Sequence, residues 1–224
     1  VFERIVLLCG ETEFPYLVVD FTRRDPSLVI ERVDDTAGLE RLAGEDLAGT
    51  RLVGFCASLV VPAAILDRVG YGAFNIHPGP PEYPGWMPSA FALYQGTRRF
   101  GATGHVMIAP VDAGPIVAVE RFDVPPGTTR EALDTEAFGA AVRVFRFMVD
   151  RLVRPEPAFV PLGIAWGPRK STRRAYAEAC RLTLDMPADE IDRRVAAFGD
   201  GDGFSRPNIL LHGHRFELPA PQRD

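Results

Sequence analysis

An amide, an imidazole and a carboxylate stand close together between residues 74 and 117, as Asn75, His77 and Asp112. Asn75 and His77 are two apart, so on a strand they point to the same side. Pro78, Gly79, Pro80 and Pro81 then stop that strand and leave both side chains facing a cleft. A second apolar run, residues 105–109, ends at Pro110, and Asp112 follows inside VDAGPIV. The three groups can therefore converge at the ends of neighbouring strands, where open α/β sheets usually carry their sites. Such a set needs no serine or cysteine nucleophile. It suits polarising a carbonyl and moving protons.

The elements that must position these groups read as an α/β chain. Residues 4–9, RIVLLC, form a short continuous apolar run of the kind found in buried parallel strands, and residues 27–33, 50–59, 72–77, 103–108 and 116–124 supply five more strands. Helices are expected over 11–24, 36–47, 61–69 and 88–95, and a long amphipathic one over 129–152 capped by Thr128 or Thr129. In that last helix Phe138, Val142, Phe145, Val149 and Leu152 recur at helical spacing, which reads as a core stripe. The turn after Cys9 has neither the G-x-G-x-x-G spacing of dinucleotide binding nor a phosphate-loop pattern. His105, alone in its strand, is expected to support the site through a hydrogen bond.

Bulk properties narrow the classes. The 224 residues allow one full α/β domain with an appendage. A net charge of -5 and a pI near 5.5 argue against a dedicated nucleic-acid surface. The local cluster Arg169, Lys170, Arg173 and Arg174 reads as a solvated helix start. Cys9, Cys56 and Cys180 are odd in number and widely spaced, so neither a disulfide framework nor a zinc site is indicated and a reduced, cytoplasmic setting is expected. No apolar run reaches membrane-spanning length, and the start, VFERIVLLCG, does not read as a signal peptide.

N-x-H-P, an aromatic-x-Gly, G-x-T-x-H and D-x-G-P-I at these distances resemble the folate-dependent formyltransferase family, over roughly residues 4–152. That family includes glycinamide ribonucleotide, methionyl-tRNA and sugar N-formyltransferases. The resemblance implies a mostly parallel, Rossmann-like sheet flanked by helices, 10-formyltetrahydrofolate as donor, and Asn75, His77 and Asp112 as the catalytic trio. It also implies a pterin pocket lined by Cys56, Ala57, Ser58 and Leu59 together with Pro110, Val111 and Asp112, and no metal. The chain departs from the pattern twice. The Gly-Ser-Asn turn of glycinamide ribonucleotide formyltransferase is absent after Cys9, and HPGPPEYPG is one residue shorter than the usual loop.

Composition changes near Pro155, dividing a catalytic domain, 1–153, from a C-terminal helical and hairpin extension, 154–224. The extension should hold helices over 172–182 and 188–198, a glycine-rich break, and a hairpin in NILLHGHRFEL. His212 and His214 have no accompanying thiol or carboxylate cluster, so they read as hairpin residues rather than metal ligands. The extension is too short for the linker and barrel of the tRNA-acting members. A small-molecule amine of sugar or amino-acid type is therefore the expected acceptor, without nucleic acid or membrane, and a homodimer is compatible. The alternatives are a hydrolase of the same folate and a non-catalytic folate-binding module.

Overall fold

The computed structural model describes residues 1–219 apart from Ala158, Asp202 and Phe204. In chain order the elements are β1 (Arg4–Leu8), α1 (Phe14–Thr22), β2 (Val29–Val33), α2 (Thr36–Ala43), β3 (Thr50–Phe55), α3 (Ala63–Leu66), β4 (Ala73–His77), α4 (Pro88–Tyr94), β5 (Arg99–Val106), β6 (Ile116–Asp123) and α5 (Arg130–Leu152). Then follow α6 (Arg173–Ala179), β7 (Arg181–Leu182), α7 (Ala188–Phe198), β8 (Asn208–Leu211) and β9 (His214–Glu217).

The main sheet has the order β2-β1-β3-β4-β5-β6. Its first four strands are parallel, whereas β5 runs antiparallel to both β4 and β6. β3 is buried along its whole length, so the sheet needs cover on both faces. One cover comes from α1 and α5, through Leu17, Phe21, Val144, Phe145 and Met148. The other comes from α2 and α3, through Leu39, Leu42 and Ile65. The extension adds a small sheet, β7-β8-β9, and packs Tyr176 and Phe198 against Phe91 and Tyr94 of α4. Among the described residues no helix is long and apolar enough to cross a membrane.

Several boundaries differ from expectation for local reasons. The helix expected over 61–69 is one turn, Ala63–Leu66, with Pro62 at its N-cap. β5 starts at Arg99 because it pairs along all of β6, and it ends at Val106. The helix expected to reach residue 182 stops at Ala179, since Arg181 and Leu182 pair with Asn208 and Ile209. Thr129 caps α5 by accepting from the Ala132 N–H at 3.2 Å. The expected core stripe also needs correcting: Phe145, Val149 and Leu152 are buried, but Phe138 is 41% exposed.

The last turn of α5 is tied to β3 by a buried cation. Arg51 has no exposed surface, and its guanidinium donates to the carbonyls of Tyr71 (2.8 Å), Arg154 (2.6 Å), Pro155 (2.9 Å) and Leu152. Burial pulls its pKa down to about 10. The guanidinium stacks over the Phe2 ring at 4.7 Å, an arrangement suited to a planar cation. Arg51→Ala removes the donor shared by four carbonyls and should lower the unfolding free energy by about 3–5 kcal/mol. A lower urea midpoint at unchanged slope is the expected measurement; an unchanged midpoint means that water replaces the guanidinium.

Candidate active site

β4 carries Asn75 and His77, and the register of the sheet decides what each meets. Asn75 lies opposite His105 across the antiparallel pair, and Gly54 lies opposite it on the parallel side. Directly paired strand residues share a face, so Asn75 Nδ2 stands 3.2 Å from His105 Nε2. A Cβ at Gly54 would run into Asn75 Oδ1. Glycine at that position gives the amide its room.

Each imidazole has one nitrogen committed to the main chain. His77 Nε2–H donates to the Tyr83 carbonyl at 2.9 Å, and His105 Nδ1–H donates to the Val106 carbonyl at 2.9 Å. Their other nitrogens both face Asp112: His77 Nδ1 is 3.5 Å from Oδ2, and His105 Nε2 is 3.3 Å from Oδ1. The Gly85 N–H donates to Oδ2 at 2.8 Å. Gly85 has φ +100°, and a Cβ there would strike the Ser171 carbonyl. Only glycine lets the loop come this close.

This geometry sets the protonation pattern. Burial alone would raise the Asp112 pKa, but the charge of His77, the hydrogen bond and charge of His105 and the Gly85 N–H outweigh it and bring it to about 2. Burial pushes the His77 pKa down, against the opposing pull of Asp112 and the Tyr83 carbonyl. The site therefore holds a fixed carboxylate between two imidazoles, and an added proton on either inward-facing nitrogen becomes an ion pair with it. Asp112 (φ +44°), Met87 (φ +50°) and Cys56 (φ +50°) all hold left-handed backbone at the wall of one cavity. Such strain persists where the surrounding structure enforces it.

The cavity has a volume of about 770 Å³ and opens over Asn75, His77, His105 and Asp112. Of the residues expected to hold a cofactor, Cys56, Ala57, Ser58, Leu59, Val111 and Asp112 line it. Pro110 does not: it is exposed beside the wall. The Cys56 thiol is pushed up by burial, which keeps it protonated and apolar.

Residues that sequence reasoning missed come from the extension and from α5. The segment 162–171 runs as a strap beside the Pro-Gly loop, with Leu162 N–H to the Ile116 carbonyl (2.9 Å), Gly167 N–H to Pro81 (2.8 Å) and Ser171 N–H to Pro84 (2.9 Å). Trp166 on this strap donates its indole N–H to the Gly114 carbonyl at 2.8 Å. Its ring stands edge-on to His105 (centroids 5.0 Å apart) and to His77 (5.9 Å). The basic cluster is only partly a solvated helix start: Arg174 pairs with Glu178, but Lys170 donates to the Val111 carbonyl, and both Lys170 and Arg173 line the cavity. Phe138 lines it too, edge-on to Phe55 at 5.6 Å, which explains its exposure.

Residues 48–145 match the family model described as formyl transferase. The chain is 30% identical over 166 residues to the methionyl-tRNA formyltransferase of Variovorax paradoxus (strain S110), a match covering 72% of this chain and 49% of that protein. It thus spans about half the length of the curated relatives it matches. A sugar N-formyltransferase structure from Shewanella sp FDAARGOS_354 superposes with a TM-score of 0.77 at 14% identity, over 100% of both chains. A 4-N formyltransferase structure from Francisella tularensis gives 0.69 at 19% identity, over 99% of this chain and 98% of that one. At these identities the structural likeness shows the shared fold.

The depressed Asp112 pKa makes a pH prediction. A carboxyl whose pKa falls on folding stabilises the fold above its unfolded value, and that contribution is lost as pH drops through the folded one. The stability advantage of the native chain over Asp112→Asn should therefore shrink as pH falls from about the unfolded value of 3.8 toward about 2. Urea titrations of both proteins across that range test it, and a gap that stays constant would show that Asp112 is not held as a carboxylate.

Proposed function

The chain belongs to the formyl transferase family, and from that premise we propose that it transfers a formyl group from 10-formyltetrahydrofolate to the amine of a small acceptor. The observation that carries this reading is the Asp112 carboxylate set between His77 and His105, with the Asn75 amide beside them at the cavity floor. Asn75, His77 and Asp112 are the catalytic residues in this proposal. Residues 1–153 are its catalytic unit, and the strap of the extension completes the wall.

The cavity suits such a donor. Its volume of about 770 Å³ lies within the range that small-molecule sites occupy. Cys56, Ala57, Ser58, Leu59 and Val111 offer an uncharged wall with main-chain groups for a flat heterocycle. When bound, the formyltetrahydrofolate supplies the formyl carbon, and transfer places negative charge on the formyl oxygen. Asn75 Nδ2 is one donor for that charge, and His77 Nδ1 becomes the second once it has taken the proton that the acceptor's ammonium group gives up, each worth about 3–4 kcal/mol when preorganised. Asp112 stabilises the charged His77 and holds the water that would carry the amine's remaining proton to the folate nitrogen as that nitrogen's bond to the formyl carbon breaks. His105 positions both partners, accepting from Asn75 in its neutral form and facing Asp112 with the same nitrogen. Trp166 covers the two imidazoles and limits water around them.

A small acceptor is supported by the net charge of -5 and by the end-to-end match to a sugar N-formyltransferase fold. Incubation with 10-formyltetrahydrofolate and a panel of small primary amines should release tetrahydrofolate, read by absorbance, only when an amine is present. Asn75→Ala and Asp112→Ala should each lower kcat by about 10²-fold or more while the folate still binds. Turnover without amine would assign a hydrolase, and folate binding without any turnover a binding module. Undiminished transfer by both variants would falsify the assignment of the trio.

A further inference from the structure

Among the described residues, the charged side chains lining the cavity are Asp112 and Asp134 against Arg130, Lys170 and Arg173. Asp112 is answered by the two imidazoles and the Gly85 N–H, and Asp134 by Arg130 Nε–H (2.8 Å) and the Ser89 hydroxyl. The wall thus has an excess of positive charge in a chain whose net charge is -5, and the extension contributes it through Lys170 and Arg173. Both are exposed as well as cavity-lining, which puts them at the mouth. Both also lie outside residues 48–145, so the family match does not account for them.

The two cations are held in place. Ser171, between them, donates its N–H to the Pro84 carbonyl (2.9 Å) and its hydroxyl to the Trp86 carbonyl (2.6 Å), and its own carbonyl accepts the Trp86 N–H (2.9 Å). Arg173 stacks over the Trp86 ring at 4.5 Å, which fixes its plane at the rim. Lys170 Nζ donates to the Val111 carbonyl, a neutral partner, and among the described residues no carboxylate pairs with it. Two of its three N–H groups are left for a ligand. Val111 directly precedes Asp112 and belongs to the uncharged wall assigned above to the folate, so this ammonium is anchored on the donor side of the catalytic residues. The fold also sets an order. Residues 56–59 follow β3, Asn75 and His77 lie on the adjacent β4, and Asp112 meets Gly85, which bridges to Ser171. A folate with its heterocycle at 56–59 and its formyl group at Asn75 and His77 continues toward Lys170 and Arg173. Its far end is a glutamate, and each further γ-linked glutamate adds one carboxylate.

We propose that Lys170 and Arg173 form a carboxylate-binding rim for the γ-glutamyl tail of the folate donor, so that the chain selects polyglutamyl over monoglutamyl folate. This rests on the formyl-transfer reading and extends it to the donor's far end. Because both groups are exposed, each contact is modest and is screened by salt. 5-Formyltetrahydrofolate carrying one or three glutamates would be titrated into the full chain by calorimetry. The triglutamate should bind about tenfold tighter at low salt, and the gap should close at about 0.5 M NaCl. Lys170→Gln should shrink the gap about threefold, and Lys170→Gln combined with Arg173→Gln should remove it. Continued binding of the monoglutamate shows that these variants fold. Arg169→Gln and Arg174→Gln, at neighbours that do not line the cavity, should leave the gap unchanged, which separates a placed rim from a general effect of charge. In transfer assays with the best amine of the panel, the double variant should raise KM for the triglutamyl donor and leave kcat and the amine KM as they were. Equal affinity for both tails in the native chain, or a gap that survives in the double variant, overturns the proposal while leaving formyl transfer standing. A rise confined to the amine KM assigns the rim to an anion on the acceptor and overturns it likewise. Failure of both folates to bind overturns the donor reading itself, and this inference with it.

Discussion

One carboxylate organises the centre of this molecule. Asp112 is buried, strained at φ +44°, bonded by the Gly85 N–H and flanked by two imidazoles, so its charge is tolerated only because these neighbours face it. Every nearby element serves that requirement. β4 and β5 bring His77 and His105 from neighbouring strands, and the Pro-Gly loop folds back to supply the Gly85 N–H. The same loop turns the Tyr83 carbonyl onto His77, which leaves Nδ1 as the nitrogen that faces the carboxylate.

The loop is itself held from outside. The strap 162–171 bonds to Pro81, Pro84 and Ile116 and places an indole against both imidazoles, so the C-terminal extension contributes directly to the cavity's surroundings. α6 and α7 anchor the strap's far end by packing aromatic rings against α4, the helix that follows the loop. The cavity is therefore bounded by a closed circuit of chain running from β4 through the loop and α4 to the extension and back.

Legibility in the sequence followed the distance over which each feature is decided. The strands and long helices were readable because burial imposes local periodicity, and Asn75 and His77 because their spacing is two and prolines follow immediately. The hairpin in 208–217 was visible from a glycine between two short runs, which allowed a turn at His212-Gly213 or Gly213-His214; pairing of Leu211 with His214 sets it at His212-Gly213. Phe138 was misread because periodicity identifies a helix face, whereas its exposure depends on where the cavity cuts across that face. Trp166 stands 61 positions beyond His105, and Asp134 stands 45 beyond Ser89; pairings at such separations leave no local pattern. The roles of Lys170 and Arg173 were hidden because a charge run looks alike on a solvated helix and on a cavity wall.

The buried guanidinium of Arg51 ties folding to the order of synthesis. The Leu152, Arg154 and Pro155 carbonyls that satisfy it are made 101, 103 and 104 residues after it. Until they emerge, the centre of the sheet would contain a cation lacking most of its native partners, and closing over it carries a desolvation penalty. The native cover over Arg51 can therefore close without an unpaired charge only once α5 and the three residues after it are made. A single buried charge thus couples the centre of the sheet to chain made about a hundred residues later.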